Sequence, residues 1–495
     1  MTARKQQLLK RHRRAKRLAL LLTLVLLLAL AMLVGAGLAL TLLLAGWIAH
    51  EAWFSDHLFY RSQSDYRYRF DAAVEFLPAH LENGRLRRDA GLEKNDALFL
   101  EIRLKSTLWG RLKAPAVEIR TDTERDCQTF ELGASGVRYL NLTGLAAGEI
   151  RLRALRCRID RSVQWLRVPC PDYRQQRLLV VAPHADDAEL AAFGLYSQAK
   201  ESWIVTLTAG EIEAGRYQAM GLDATTAARL KGRLRAWDSL AVPRWAGVPA
   251  GQVTHLGYFC MQLAAMRENP AEAKPSREAD LVDTRFFRSG NPFALPGDAD
   301  GQPTWNNLLA DLRALIARAR PEVIVLPHPA FDPHPDHIAA YAAVRAALQD
   351  SDWQPQTLLC YANHLHDNDM WPMGDAHTGV PLPPLIEAND TPLLPWSLAL
   401  SRPQQIDKAS ALAMMHDLQT PLPKKRRLRR LIQTLLTNRR WPRGGLYGDN
   451  EYFRKNVRRQ EVFWVEKWET NQRCVQGAAS GDVMSDAAPS ISCKR

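Results

Sequence analysis

The chain has 495 residues, 46% of them hydrophobic, and a formal net charge of +12. That length exceeds one ordinary core and leaves room for two folded domains and a further segment. The basic residues concentrate before residue 18 and between residues 424 and 443, with no stacking motif or DNA-reading helix beside them, so no nucleic-acid partner is expected.

Residues 18–48 carry no charged side chain. As one helix they rise far enough to cross a hydrocarbon core of about 30 Å, whereas the apolar part of a signal peptide takes roughly 7–15 residues. The stretch therefore reads as an uncleaved transmembrane signal anchor. A helical hairpin would need about 40 apolar residues and a polar turn, and neither is present. Arg4, Lys5, Lys10, Arg11, Arg13, Arg14, Lys16 and Arg17 precede the stretch, in a basic segment 1–17, and Glu51 and Asp56 follow it. The positive-inside bias then predicts a single-pass protein of the inner (cytoplasmic) membrane, with its N-terminus in the cytoplasm and the remainder periplasmic or extracellular. Seven cysteines in an exported chain permit disulfides, and Cys127, Cys157 and Cys170 fall within one candidate domain.

From 66 to 170 several short runs alternate with period two, at 98–104, 116–120, 129–132, 139–142 and 149–157, which predicts a small antiparallel β-sandwich. At 177–182 the pattern becomes a near-continuous apolar run, followed by a helix and a second such run at 203–207. Helices near 224–240, 306–319 and 335–348 alternate with strands at 322–326 and 357–362. This predicts an α/β domain over 175–468 on a doubly wound, mostly parallel, Rossmann-like sheet. Residues 262–305 show no sustained period and read as an insertion or binding loop, and the small polar tail 471–495 as disorder.

Two segments carry candidate chemistry. Pro183-His184-Ala185-Asp186-Asp187-Ala188-Glu189 follows the first buried strand, and Asp332-Pro333-His334-Pro335-Asp336-His337 follows a later one. Ligands of open α/β sheets bind outside the carboxyl ends of strands, so both loops lie where a site is expected. His184 and Asp187 can converge on a cation while Asp186 stays available for proton transfer. Pro335 suits the first turn of a helix, and His334 and His337 can face one site.

These segments resemble the signatures of the PIG-L (LmbE-like) deacetylases. His184 to Glu189 is similar to their PHPDDE-type motif, and His334-Pro335-Asp336-His337 matches their second motif in full. Leu207 to Glu211 resembles the family's Thr-x-Gly-Glu turn, and Leu256-Gly257-Tyr258 its Leu-Gly-Tyr element. The likeness spans about 175–465 and leaves out the anchor and the sandwich. It implies metal ligands His184, Asp187 and His337, general base Asp186, and His334 supported by Asp336 as the group meeting the developing oxyanion. Two imidazoles and one carboxylate leave positions open for water and substrate, as Zn²⁺ requires, and suit Fe²⁺ as well. The implied activity is removal of the acetyl group from N-acetylglucosamine or a related amino sugar in a lipid-linked or envelope glycan such as lipopolysaccharide. An amidase acting on another N-acyl compound and a catalytically silent glycan-binding scaffold are the competing readings.

The sequence departs from the family pattern at Ala185, at Ala188 with Glu189 one place later, at Gly232 where a Glu is expected, and at Phe259-Cys260. Asn363, His364 and His366 are further candidates for the site's lining. The segment from Asp407 and Lys408 to Gln419 resembles a late family helix and reads as packing. The run 424–430 reads as a solvated face or a contact for anionic headgroups or a phosphorylated glycan.

Overall fold

The computed structural model describes residues 3–33, 35–56, 61–87, 96–145, 148–365, 370–384, 392–419, 422–441 and 451–468. His366 and the tail 471–495 lie outside the described residues.

The charge-free stretch is divided between two helices. Helix α1 (Ala3–Leu33) and helix α2 (Ala36–Ala49) touch each other, and α2 continues into a π-helical turn, His50–Phe54. The break lies at Gly35, with φ 118° and ψ 150°, a backbone open to glycine because it lacks a Cβ. The helical segments Gln7–Leu33 and Ala36–Phe54, of 27 and 19 residues, are each long and apolar enough to cross a membrane.

Nine antiparallel strands follow: β1 (Glu75–Glu82), β2 (Arg85–Arg87), β3 (Ala97–Ser106), β4 (Ala116–Arg120), β5 (Arg125–Thr129), β6 (Ser135–Asn141), β7 (Glu149–Leu155), β8 (Cys157–Ile159) and β9 (Ser162–Val168). A short helix, α3 (Leu108–Leu112), links β3 to β4. The order β5-β4-β7-β2-β1-β9-β3-β6, with β8 on β3, corrects the expectation of a sandwich of two separate sheets. Strand β1 belongs to both halves: Glu75 to His80 pair with β9, and Leu81 and Glu82 pair with β2. At the open ends, the Gln128 side chain of β5 donates to the Asn141 carbonyl of β6 at 2.6 Å and accepts from its amide at 2.9 Å. The sheet therefore curls into a nearly closed barrel around Leu86, Leu100, Ile102, Ile119 and Trp165.

The second unit is a mixed α/β layer structure. Its strands are β10 (Arg177–Ala182), β11 (Glu201–Thr208), β12 (Val253–Tyr258), β13 (Val323–Pro327), β14 (Thr357–Tyr361), β15 (Pro395–Ala399) and β16 (Gln460–Lys467), in the order β12-β11-β10-β13-β14-β16-β15. The first five are parallel, and β16 and β15 add on antiparallel. The helices that accompany them include α4 (Asp187–Tyr196), α5 (Ala224–Trp245), α6 (Trp305–Ala319), α7 (Pro335–Gln349), α8 (Arg402–Met414), α9 (Lys424–Thr437) and α10 (Glu451–Asn456). After Arg177, strand β10 is apolar because both its faces are covered. Leu178 and Val180 pack in a core with α4 and α8, while Leu179 and Val181 pack in another with α6 and α7.

The two units share a core. Phe99, Tyr139, Leu166 and Val168 of the barrel lie in one apolar cluster with Leu178 and Trp396 of the mixed sheet. Asn141 Nδ2 also donates to Ser397 Oγ at 2.8 Å. The region 262–305 is built in as well: Arg288 is buried and pairs with Asp311 at 2.7 Å and Asp298 at 3.0 Å.

Lys408 on α8 is 1% exposed and pairs at 2.7 Å with Glu461 of β16, which also accepts from the Gly194 and Leu195 amides of α4 at 2.8 and 3.0 Å. The packing reading of this segment thus has a specific content, a buried ion pair that seats the helix starting at Asp187. Removing one partner leaves a buried charge uncompensated, so Lys408→Met is expected to cost about 3–5 kcal/mol. Chemical denaturation of the detergent-solubilised protein checks this, and a change below about 1 kcal/mol would remove Lys408 from the framework.

Candidate metal and catalytic site

Strands β10 and β13 are parallel neighbours, so the loops after both emerge at the same edge of the sheet. The first loop carries His184 and Asp186 and turns into α4 at Asp187; the second carries Asp332 and reaches α7 with His334 as its N-cap and Pro335 in the first turn. The side chains of both loops meet at this edge.

Three ligand-capable atoms come together there. His184 Nδ1 lies 3.1 Å from Asp187 Oδ2, His337 Nε2 lies 3.1 Å from the same oxygen, and the two ring nitrogens are 3.3 Å apart. Atoms about 2.0–2.1 Å from a tetrahedral cation are separated by about 3.3 Å, so this triangle fits a first shell of Zn²⁺ size. The far nitrogen of each ring meets a carboxylate: His184 Nε2 is 3.2 Å from Asp336 Oδ2, and His337 Nδ1 is 2.9 Å from Asp332 Oδ2. Such partners select the tautomer and orient the ring toward a metal. Three overlapping groups have ligand atoms within 4.8 Å of one another: His184 with His334 and His337, His184 with Cys260 and Asp336, and Asp332 with His337 and His364.

The carboxylates set the charge of this cluster. Burial opposes protonation of His337, but Asp187 and Asp332 push its imidazole up to about 10. His184 is raised well above its ordinary range, against burial, by Cys260, Asp187 and Asp336. Burial resists ionisation of Asp187, yet His337 and His184 hold it well below the usual carboxylate range. Asp332 is lowered in the same way by His337 and His364, and Asp336 by His184.

Asp186 stands beside this triangle. Its Oδ1 accepts from Arg235 Nη2 at 3.0 Å, and Arg235 is buried and also bonds Asp417 at 2.6 Å. His334 approaches both other imidazoles, with ring centroids 4.8 Å from His184 and 4.9 Å from His337. Burial holds the His334 imidazole down to about 3, and its cationic neighbours add to this, so it is neutral. Asp336 hydrogen-bonds to His184 and to the Met261 amide at 2.7 Å, while His334 Nδ1 is buried without a hydrogen-bond partner. The hydrogen bonds of Asp336 thus run to His184 and Met261, whereas the sequence placed it in support of His334.

Asn363 and His364 do reach the site. Asn363 Nδ2 donates to Asp187 Oδ1 at 2.9 Å, and His364 lies between Asp332, at 3.5 Å, and the Tyr452 hydroxyl, at 3.1 Å. The departures from the family pattern also find causes. Glu189 is buried against the Tyr196 hydroxyl at 3.0 Å, where burial pushes its carboxyl up to about 8. A Cβ at Gly232 would meet the Phe287 ring at 2.5 Å, so this chain has filled with an aromatic ring from the insertion the space that a glutamate would need. Cys260 brings its Sγ within 3.7 Å of Asp336 Oδ2. Arg235, Asp332, Cys260 and Tyr452 received no role in the sequence reading. Only Asp332 left a local signal, as an acid within the second motif's loop.

Among curated proteins none matches the chain. Among solved structures, a similar one is the crystal structure of GalB, the 4-carboxy-2-hydroxymuconate hydratase from Pseudomonas putida KT2440, at 15% identity and a TM-score of 0.28, covering 52% of this chain and 83% of that one. At that distance nothing about activity follows. The family comparison is direct: residues 179–348 match PIG-L, described as GlcNAc-PI de-N-acetylase. The match spans both histidine-bearing loops, and residues 179–348 of this chain carry a domain of the PIG-L (LmbE-like) family.

Proposed function

We propose that the protein is a metal-dependent de-N-acetylase that hydrolyses the acetamide of N-acetylglucosamine or a related amino sugar in a lipid-linked or cell-envelope glycan. The observation that carries this reading is the triangle of His184 Nδ1, Asp187 Oδ2 and His337 Nε2, with an ionisable carboxylate, Asp186, beside it. His184, Asp187 and His337 would hold a divalent cation, Zn²⁺ or Fe²⁺, with Asp336 and Asp332 orienting the two rings. When bound, such a cation acts as a Lewis acid and lowers the pKa of water.

The chain's own groups supply the remainder. Asp186 takes the proton of the attacking water and returns it to the sugar amine as the C–N bond breaks. Its Oδ1 is tied to Arg235, which leaves Oδ2 for that proton. His334, neutral and with Nδ1 unpartnered, offers a ring N–H to the negative charge that gathers on the acetyl oxygen. The full set of base, ligands and oriented rings favours an enzyme over a silent glycan-binding scaffold.

The basic residues before residue 18 favour a cytoplasmic N-terminus. One crossing would then put the catalytic domain outside, as the uninterrupted apolar run suggests. The break at Gly35 and the two membrane-length segments favour a second reading, two crossings, which returns the domain to the side of the N-terminus.

Three outcomes test these readings. Both site histidines are raised when metal-free and must each give up a proton to bind a cation, so metal uptake near pH 7 is expected to release about two protons and to weaken as pH falls. Calorimetry in buffers of different ionisation enthalpy measures this; no proton release, or full metal occupancy in His337→Ala, would refute the ligand set. Asp186→Asn is expected to retain metal and to lose roughly 10²–10⁴-fold in acetate release, and near-normal turnover would remove Asp186 as the base. A reporter active only in the exported compartment, fused after Arg495, works if the chain crosses once and is silent if it crosses twice.

A further inference from the structure

The base of the anchor is ringed by apolar side chains that the folded chain leaves uncovered. Trp47 and Phe54, at the end of α2 and in its π-turn, are exposed. Trp53 of the same turn donates its indole N–H to the Leu112 carbonyl of α3 at 2.9 Å, which brings the barrel's Leu108–Leu112 helix to this level. Leu108, Trp109 and Leu112 on it are 78%, 67% and 45% exposed, although a five-residue helix on a small barrel has no folding reason to present three large apolar groups to water.

Helix α9 reaches the same level from the catalytic unit. Arg429 pairs with Glu51, Gln433 Nε2 donates to Ser55 Oγ at 3.1 Å, and Arg439, just past the helix, pairs with Asp56 at 2.9 Å. With that face docked on the anchor, Leu428, Leu431 and Leu435 form an exposed stripe at i, i+3 and i+7, reaching 68% exposure at Leu435. Lys424, Lys425 and Arg426 occupy the exposed first turn. A leucine stripe flanked by basic residues is the pattern of a helix lying in the plane of a membrane interface, and tryptophans at the end of a span mark headgroup depth.

We infer that α3 and α9 seat the folded body on the bilayer surface beside the anchor, with anionic lipid headgroups and the adjoining acyl chains as the occupant of this face. Three observations select a bilayer over a protein partner. The face adjoins the turn that follows α2, the first turn of α9 carries the charge that anionic lipid attracts, and α9 is tied to that turn through Glu51, Ser55 and Asp56. The anchor is then one leg of a three-point seat and the body has a set orientation to the membrane. Arg439 carries that orientation toward the site, since it also pairs at 2.6 Å with Glu451 of α10, the helix bearing Tyr452.

The test uses the full-length protein in lipid nanodiscs containing a lipid with a diazirine in its acyl chain, with adducts mapped by mass spectrometry. Adducts are expected on α3 and α9 as well as on α1 and α2, and at least about fivefold more on α9 in phosphatidylglycerol discs than in phosphatidylcholine discs. The triple variant Leu428→Glu, Leu431→Glu, Leu435→Glu is expected to lose the α9 adducts while keeping those on α1 and α2. Because that variant can misfold, the milder Lys424→Gln, Lys425→Gln, Arg426→Gln variant serves beside it and is expected to abolish the lipid preference. Adducts confined to α1 and α2, α9 yields indifferent to lipid charge, or α9 joined only to a second copy of the chain would each overturn the seat. The readout needs no catalysis, so its failure leaves the deacetylase reading untouched.

Discussion

The adjacency of β10 and β13 is the constraint on which the site depends. Their parallel pairing brings two separate loops to one edge, and there Asp187, Asp332 and Asp336 are buried together. Carboxylates at such depth are tolerable only with cations among them, and here two imidazoles stand between them. The folding cost of collecting like charges and the candidate set of metal donors have the same origin. Arg235 extends this balance outward, joining Asp186 to Asp417 across the mouth of the site.

The surrounding framework keeps those loops in register. Glu461 holds the amides of α4 with Lys408 as its counter-ion, and the Phe287 ring from the insertion fills the space beside Gly232. The barrel belongs to this framework, because its Phe99 and Tyr139 lie in the same apolar cluster as Leu178 of the central strand. The barrel and the mixed sheet therefore bury one continuous apolar cluster between them.

Much of the site was legible beforehand. His184, Asp186, Asp187, His334 and His337 lie within two short segments, each next to a buried strand, and local spacing carries that information. The partners of those residues were not legible. Asp336 sits one residue from His337 yet holds His184, 152 positions away. Arg235 is 49 positions from Asp186 and lies on a helix whose pattern has nothing to mark it. The barrel fared similarly: its alternation was visible, but β1, β2 and β9 were not assigned, β5 ends at Thr129 where the run 129–132 was expected to begin, and the run 149–157 is divided between β7 and β8, because strand bounds and order depend on pairings that period two does not encode.

By itself the sequence determined the classes of structure and the chemical groups: an apolar N-terminal stretch, alternating strands, an α/β domain, and histidines and carboxylates grouped at strand ends. These follow from periodicity and from neighbours a few residues apart. Only the tertiary structure decided that Gly35 divides the apolar stretch, that Asp332 and Asp336 each orient a different imidazole, and that leucines of α9 and α3 remain exposed beside the anchor. Those outcomes turn on which distant surfaces cover one another and on where buried charges find counter-ions, energies that exist only once the chain has folded.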